Sequence, residues 1–384
     1  MKSLKFMLTA CVATVALTSC EKEDIVPQVQ NTRMKSVEVS LKNAVVTRGT
    51  AGNKIEENDP VTVNNLKIFL TDAAGNLYDD AKTEDGAEGA KYYWTKEELA
   101  GGIPAAKFHY VSPNCTKVVA VANCGDIDYA DIANISIDDE QNAQELSLYA
   151  SDDMLEAAGQ HSDVNANGTT YLSNAYKAEL TLKPRISRFE VDGFRVYFNQ
   201  QNPKYETIKV LDLAFQNYYP TTSLATGVES GSLVNHMPDL ANQTSVYNWF
   251  NDNTKEKAWY WDSFASLDDI TKDSPAADVK DAEGKKAPLA YHVFSSDVTP
   301  VMVIRLVADG QPAYLYSKKF KQSNGTDISS FEEGKIYRMV AAGEDPGSNG
   351  SIPINEDDID PMDRCLDITV TVHDWAVDLV YPEF

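Results

Sequence analysis

The stretch Met34–Gly49, MKSVEVSLKNAVVTRG, decides how the rest of the chain is read. Val37, Val39, Leu41 and Val45 fall on one side of a period-two pattern, with Glu38, Ser40 and Lys42 on the other. That alternation predicts a strand with one buried and one wet face, Asn43 being the misfit on the apolar side. It runs into Thr47-Arg48-Gly49 and then the polar run TAGNKIEENDP, too hydrophilic to pack. A buried strand joined to an exposed basic residue is easily severed beside that residue. The expectation is a strand that completes a β-sandwich in a precursor and is then removed, leaving a groove that another subunit fills.

Upstream, MKSLKFMLTACVATVALTSCEKED has Lys2 and Lys5 as a basic start, then an apolar run of signal-peptide length. Leu17-Thr18-Ser19-Cys20 has the form of a lipobox, which makes 1–19 a lipoprotein signal, Cys20 the acylated residue and 20–48 the removable segment. An ordinary signal peptide that happens to contain cysteine is the alternative. The apolar run is too short to span a bilayer, and no later one approaches about 20 residues.

Formal charge is −24, and losing the 7 basic and 4 acidic residues up to Arg48 takes it to −27. Such a surface repels nucleic acid and anionic lipid, leaving the precursor's lipid as the expected membrane contact. Beyond the leader, Cys115, Cys124 and Cys365 remain. Cys115 and Cys124 bracket the strand-like TKVVAVAN; an extended strand sets them about 30 Å apart, whereas a disulfide needs Cα atoms within about 7 Å.

The length beyond Cys20 suggests two domains. In the first, Val61–Leu70 predicts a strand and hairpin turning at Ala74-Gly75-Asn76. A helical turn at Lys96–Leu99 and strands at Ala105–Val111 and Lys117–Asn123 follow. Short helices are expected within Asp126–Tyr149 and continuing through SDDMLEAAGQ, then a strand at Ala178–Leu182. Lys183-Pro184-Arg185 marks the boundary, because proline interrupts a ladder. Beyond it, strands are expected at Ile186–Phe198, Thr207–Phe215, Ala287–Phe294, Val301–Val307, Tyr314–Tyr316 and Lys335–Val340, the last after a turn at Phe331–Gly334. Ala341–Asp363 lacks periodicity and is expected to be a long arm. At its end Leu366, Ile368, Val370 and Val372 alternate with polar residues, and Trp375, Val377, Leu379 and Tyr381 resume after His373-Asp374. This armed tail either closes its own sheet or crosses to a neighbour by strand addition.

The residues give little support to enzyme chemistry. His109, His161, His236, His292 and His373 show no HxH or HExxH spacing, and no GxSxG, P-loop or GxGxxG occurs. Glu356-Asp357-Asp358 lacks a calcium-loop pattern and is expected to be solvated arm. The tract YNWFNDNTKEKAWYWDSF (247–264) could stack sugar rings on Trp259 with Asp252 and Asp262 accepting hydroxyl hydrogens, or simply be a loop pinned by buried aromatics. The second reading is preferred, and no cofactor, metal or catalytic group is assigned.

The lipobox at Cys20, the strand ending Val45-Val46-Thr47-Arg48 and the tail LDITVTVHDWAVDLVYPEF together resemble the fimbrillin family of Bacteroidales, the FimA-like and Mfa-like type V pilins. KVVAVANCGD, KPRISRFEV and FEEGKIYRM match it more softly. The resemblance implies an all-β chain of two transthyretin-like sandwiches, 49–182 and 183–363, with short helices in loops and donor strands at 364–384. It implies an outer-membrane lipoprotein precursor cut between Arg48 and Gly49 by an arginine-specific protease. Leu366, Ile368, Val370, Val372, Trp375, Val377 and Leu379 of one copy would then enter the groove left by Val37, Val39, Leu41 and Val45 of the next. The implied role is a non-enzymatic surface subunit in adhesion or colonisation, its partners being copies of itself, other fimbrial subunits and a host or bacterial receptor. A tip or accessory adhesin, or a glycan-binding surface lipoprotein, is the alternative. The three cysteines fit no pattern of that family.

Overall fold

A computed structural model describes residues 34–41, 61–83, 86, 89–100, 106–141, 146–153, 155–164, 168, 170–235, 261–264, 267–280, 283–286, 289–322, 325–339, 351–359, 365–374 and 377–378. Cys20, Val45, Arg48, Gly49, Trp375 and Leu379 lie outside them, as do Tyr247, Trp249, Phe250, Asp252, Trp259 and Tyr260.

The fold is all-β, as the recurrence of alternating Val, Ile, Leu and Phe demands. The first half builds two sheets. One has the order Ala106–Val111, Lys35–Leu41, Thr170–Leu180, Glu156–Val164. The other has the order Lys183–Pro184, Leu148–Asp152, Lys117–Ala122, Leu66–Thr71, Tyr93–Trp94. Val37, Phe108 and Ala178 from the first join Leu66, Ile68, Val118 and Leu148 from the second in one core. Cys115 and Cys124 are unpaired thiols, and burial pushes the latter's pKa up to about 11.

The second half is organised on a sheet whose order runs Trp261–Ser263, Thr207–Gln216, Val301–Ala308, Gln311–Gln322, Cys365–Asp374, Lys335–Met339, Ile186–Val191, Leu289–Phe294. Its core centres on Phe189, whose ring lies 4.7 Å from Phe331 and 5.3 Å from Phe215. The other face of the same strand is polar yet buried. Arg188 donates to Glu190 at 3.0 Å, Arg338 donates to the second Glu190 oxygen at 2.9 Å, and Arg188 also bonds His292 Nε2 at 3.2 Å.

Several expectations fail for identifiable reasons. SDDMLEAAGQ is not helical: it contributes to the strands Leu148–Asp152 and Glu156–Val164, the latter pairing along Thr170–Leu180. Tertiary pairing overrides the helix-forming Glu and Ala there. Ile186–Phe198 is two strands broken at Asp192-Gly193, where a Cβ at Gly193 would collide with the Ala277 carbonyl. Ala341–Asp363 is no continuous arm. Ser351–Asn355 pairs parallel with Gly193–Tyr197 and buries Ile352 and Ile354. Glu356 is buried too, accepting the Asn199 and Lys204 backbone N–H groups at 2.6 and 2.7 Å, so it is a structural cap rather than solvated arm. Pro353 and the Gly-rich flank hide this short alternation. Pro184 does not interrupt the ladder, since Lys183–Pro184 pairs antiparallel with Tyr149 and Leu148, and Arg185 beside it lies 4.3 Å over the Tyr149 ring and donates to the Leu224 and Ala225 carbonyls.

Candidate functional site

The leading strand, Lys35–Leu41, occupies an interior position with a neighbour on each side. It runs antiparallel to Ala106–Val111, with Val39 opposite Ala106, and parallel to Thr170–Leu180, with Val39 opposite Ala178 and Leu41 opposite Leu180. Its inward residues Val37, Val39 and Leu41 are only 1%, 2% and 8% exposed. Each contributes about 1.5–3 kcal/mol by leaving water, and the two ladders add about 0.5–1.5 kcal/mol per hydrogen bond. Taking the strand away would leave two flanking strands separated by about twice the 4.7–4.9 Å strand spacing, with unsatisfied N–H and C=O groups on both rims.

The outward face is specialised. Glu38 lies opposite Lys107 on one side and Lys177 on the other, so an acid is set between two lysines. Ser36 is buried despite facing outward, because Ala106–Val111 slips register between the partners of Lys35 and Val37 and Tyr110 adopts φ 58°. That bulge brings His109 Nδ1 to 3.1 Å from Ser36 Oγ, which also lies 2.8 Å from Ser173 Oγ. The His161 ring packs 4.6 Å from that of His109. A cavity of about 190 Å³ opens on this face, lined by Ser36, Glu38, Lys107, His109, Gln160 and His161. Lys35 anchors the strand's start, its Nζ donating to the Cys115 carbonyl at 2.7 Å and lying 4.9 Å over Tyr176; burial lowers its pKa. No spacing in the sequence announces the His109–His161 meeting, which depends on strand order.

The tail strand, Cys365–Asp374, also occupies an interior position. It runs parallel to Gln311–Gln322 and antiparallel to Lys335–Met339, so in this single chain it closes its own sheet. Val377–Asp378 then pairs parallel with Val61–Thr62, back in the first half of the chain. Lys35–Leu41 and Cys365–Asp374 therefore each have one parallel and one antiparallel neighbour.

Of the aromatic tract, the described part is structural. Trp261 Nε1 donates to the buried Asp212 at 3.1 Å, Phe264 packs 5.4 Å from Phe194, and Asp262 accepts the Tyr291 hydroxyl hydrogen at 2.6 Å. Asp262, the candidate acceptor for a sugar hydroxyl, thus already serves Tyr291. Among the described residues no cluster of three or more metal-ligating side chains occurs, and no helix is long and apolar enough to cross a membrane.

No family model and no curated protein matches the chain. Similar solved structures include a putative cell adhesion protein from Parabacteroides distasonis, 10% identical, with TM-score 0.44 and coverage of 89% of this chain and 99% of that one. A fimbrilin from Porphyromonas gingivalis is 12% identical, with TM-score 0.44 and coverage of 89% and 98%. The tip fimbrial protein Mfa3 of Porphyromonas gingivalis, in a C-terminally truncated form, is 9% identical, with TM-score 0.35 and coverage of 89% and 99%.

Proposed function

We propose that the chain is a structural subunit of a cell-surface fimbria that polymerises by protease-triggered strand exchange. The observation that carries this reading is the position of Lys35–Leu41. It is an interior strand with a buried apolar face, and it lies a few residues ahead of the Arg48-Gly49 junction. A strand so placed stabilises the precursor while attached. Cleavage after Arg48 turns its binding into a reversible association of a separate peptide, which dilution and competition can then displace. A neighbour's tail restores the same buried area and ladders and adds the contacts made by the rest of that subunit.

The proposal includes export as a lipoprotein acylated at Cys20, an arginine-specific protease as activator, and two transthyretin-like domains divided near Lys183. The role is structural rather than catalytic, and adhesion to a host or bacterial receptor is its expected consequence. Arg48→Ala tests it: the variant should accumulate as an unprocessed monomer when treated with an arginine-specific protease. Polymers forming at the wild-type rate would contradict it. The alternative of a tip or accessory adhesin is separated by tail donation. A stalk subunit passes its tail to a neighbour; a cell whose fimbriae persist without this protein would favour the accessory role.

A further inference from the structure

The two terminal strands are copies of one another in chemistry. Ser36-Val37-Glu38-Val39-Ser40-Leu41 and Cys365-Leu366-Asp367-Ile368-Thr369-Val370 align without a gap and in the same direction. Each place is conservative: serine with cysteine, valine with leucine, glutamate with aspartate, valine with isoleucine, serine with threonine, leucine with valine. The residues just before, Lys35 and Arg364, are both basic, and the match ends where Asn43 falls against Val372. Alternation alone explains the apolar places. It does not explain an acid and a hydroxyl at the same two polar places.

The surroundings correspond as well. Both strands have a parallel neighbour on one side and an antiparallel one on the other. In both, the parallel neighbour sets a lysine opposite the acid: Lys177 opposite Glu38, and Lys319 opposite Asp367. The groove around the leading strand adds Lys107 across from Glu38 on its other rim. Once Glu38 leaves, two lysines lie in register on either side of the vacant position, and a strand offering a basic residue there sets like charges opposite one another.

We propose that the groove left by the leading strand selects one register of a second copy's tail, with Asp367 taking the place of Glu38 between Lys107 and Lys177. This rests on the exchange reading above. The register follows directly: Leu366, Ile368 and Val370 take the inward places of Val37, Val39 and Leu41, and Cys365 takes the place of Ser36 beside Ser173 and His109. The incoming strand runs parallel to Thr170–Leu180. A slip by one residue would turn the apolar row outward, and a slip by two would carry Asp367 away from the lysine pair. Lys107 and Lys177 are then the residues of the groove that fix alignment, and the apolar row supplies the burial.

Two measurements on the full-length chain, processed with an arginine-specific protease, decide the matter. Asp367→Lys should slow polymer growth at least ten-fold, and adding Lys107→Glu with Lys177→Glu to the same chain should recover most of the loss. Because position 367 is also in register with Lys319 in the unprocessed chain, a second variant reads register without altering charge. In Ser173→Cys, peptide mapping of material assembled and then treated with a mild thiol oxidant, which takes up the two electrons, should find a disulfide joining the introduced thiol of one copy to Cys365 of the next, since the Ser36 and Ser173 oxygens lie 2.8 Å apart. Polymers of Ser173→Cys lacking that bond, or Asp367→Lys growing at the wild-type rate, would overturn the register and leave strand exchange standing. A chain ending at residue 363 that still polymerises would overturn strand exchange itself.

Discussion

Glu140 and His292 meet where the two halves of the chain touch, and burial pushes each toward its neutral form. The His292 ring donates from Nδ1 to the Glu140 carbonyl at 2.8 Å and accepts from Arg188 at Nε2. Burial, with the Arg188 charge adding to it, lowers the His292 pKa to about 3. Burial raises the Glu140 carboxyl to about 7 against hydrogen bonds from Ser147. The two act on stability in opposite directions. Glu140 binds a proton more tightly folded than unfolded, so stability falls as pH rises from about 4.5 to about 7. Replacing it with Gln should raise stability in denaturant titrations at pH 8, by on the order of 1–3 kcal/mol, and change little at pH 4.5. His292 binds its proton less tightly when folded, so stability is full above about 6.5 and is lost as pH falls toward 3. His292→Gln should flatten that acid limb in the same titrations. None of this is legible in the sequence, where Arg188, Glu190, His292 and Arg338 are ordinary polar places in strands. Only the pairing of Ile186–Val191 with both Leu289–Phe294 and Lys335–Met339 brings them together.

At the scale of elements, the terminal strands are the most readable part of the chain, because period-two alternation survives any neighbour. Val37, Val39 and Leu41 are buried as their spacing requires. Direction and partners are not readable: a parallel pairing between Lys35–Leu41 and Thr170–Leu180 leaves no local trace. The short Ser351–Asn355 strand is hidden because its two isoleucines sit among Pro, Gly and acids. Of the candidate site, the apolar row is legible, while the bulge that buries Ser36 against His109 is not. Deleting residues 365–384 removes an interior strand from the second sheet as well as the donor. Hydrogen exchange at Lys335–Met339 should therefore speed up in that truncated chain, and polymer growth should cease after cleavage. Unchanged protection at Lys335–Met339 would contradict the pairing of Cys365–Asp374 with that strand.

For the whole molecule, Lys35–Leu41 and Cys365–Asp374 are interior strands of different sheets, and six successive positions of the two match in residue class. On the proposed exchange, a subunit built this way is complete alone and becomes incomplete when the chain is cut after Arg48. Formal charge is −24 for the full sequence and −27 for the part beyond Arg48, so on the proposed processing assembled copies repel one another at long range. On that reading attachment depends on local complementarity, which the proposed seating of Asp367 opposite Lys107 and Lys177 supplies. The most direct test is N-terminal sequencing of subunits taken from assembled fibres. Assembled subunits should start at Gly49 with no peptide from residues 34–48 retained. A start at Cys20, with Lys35–Leu41 still seated between Ala106–Val111 and Thr170–Leu180, would contradict it.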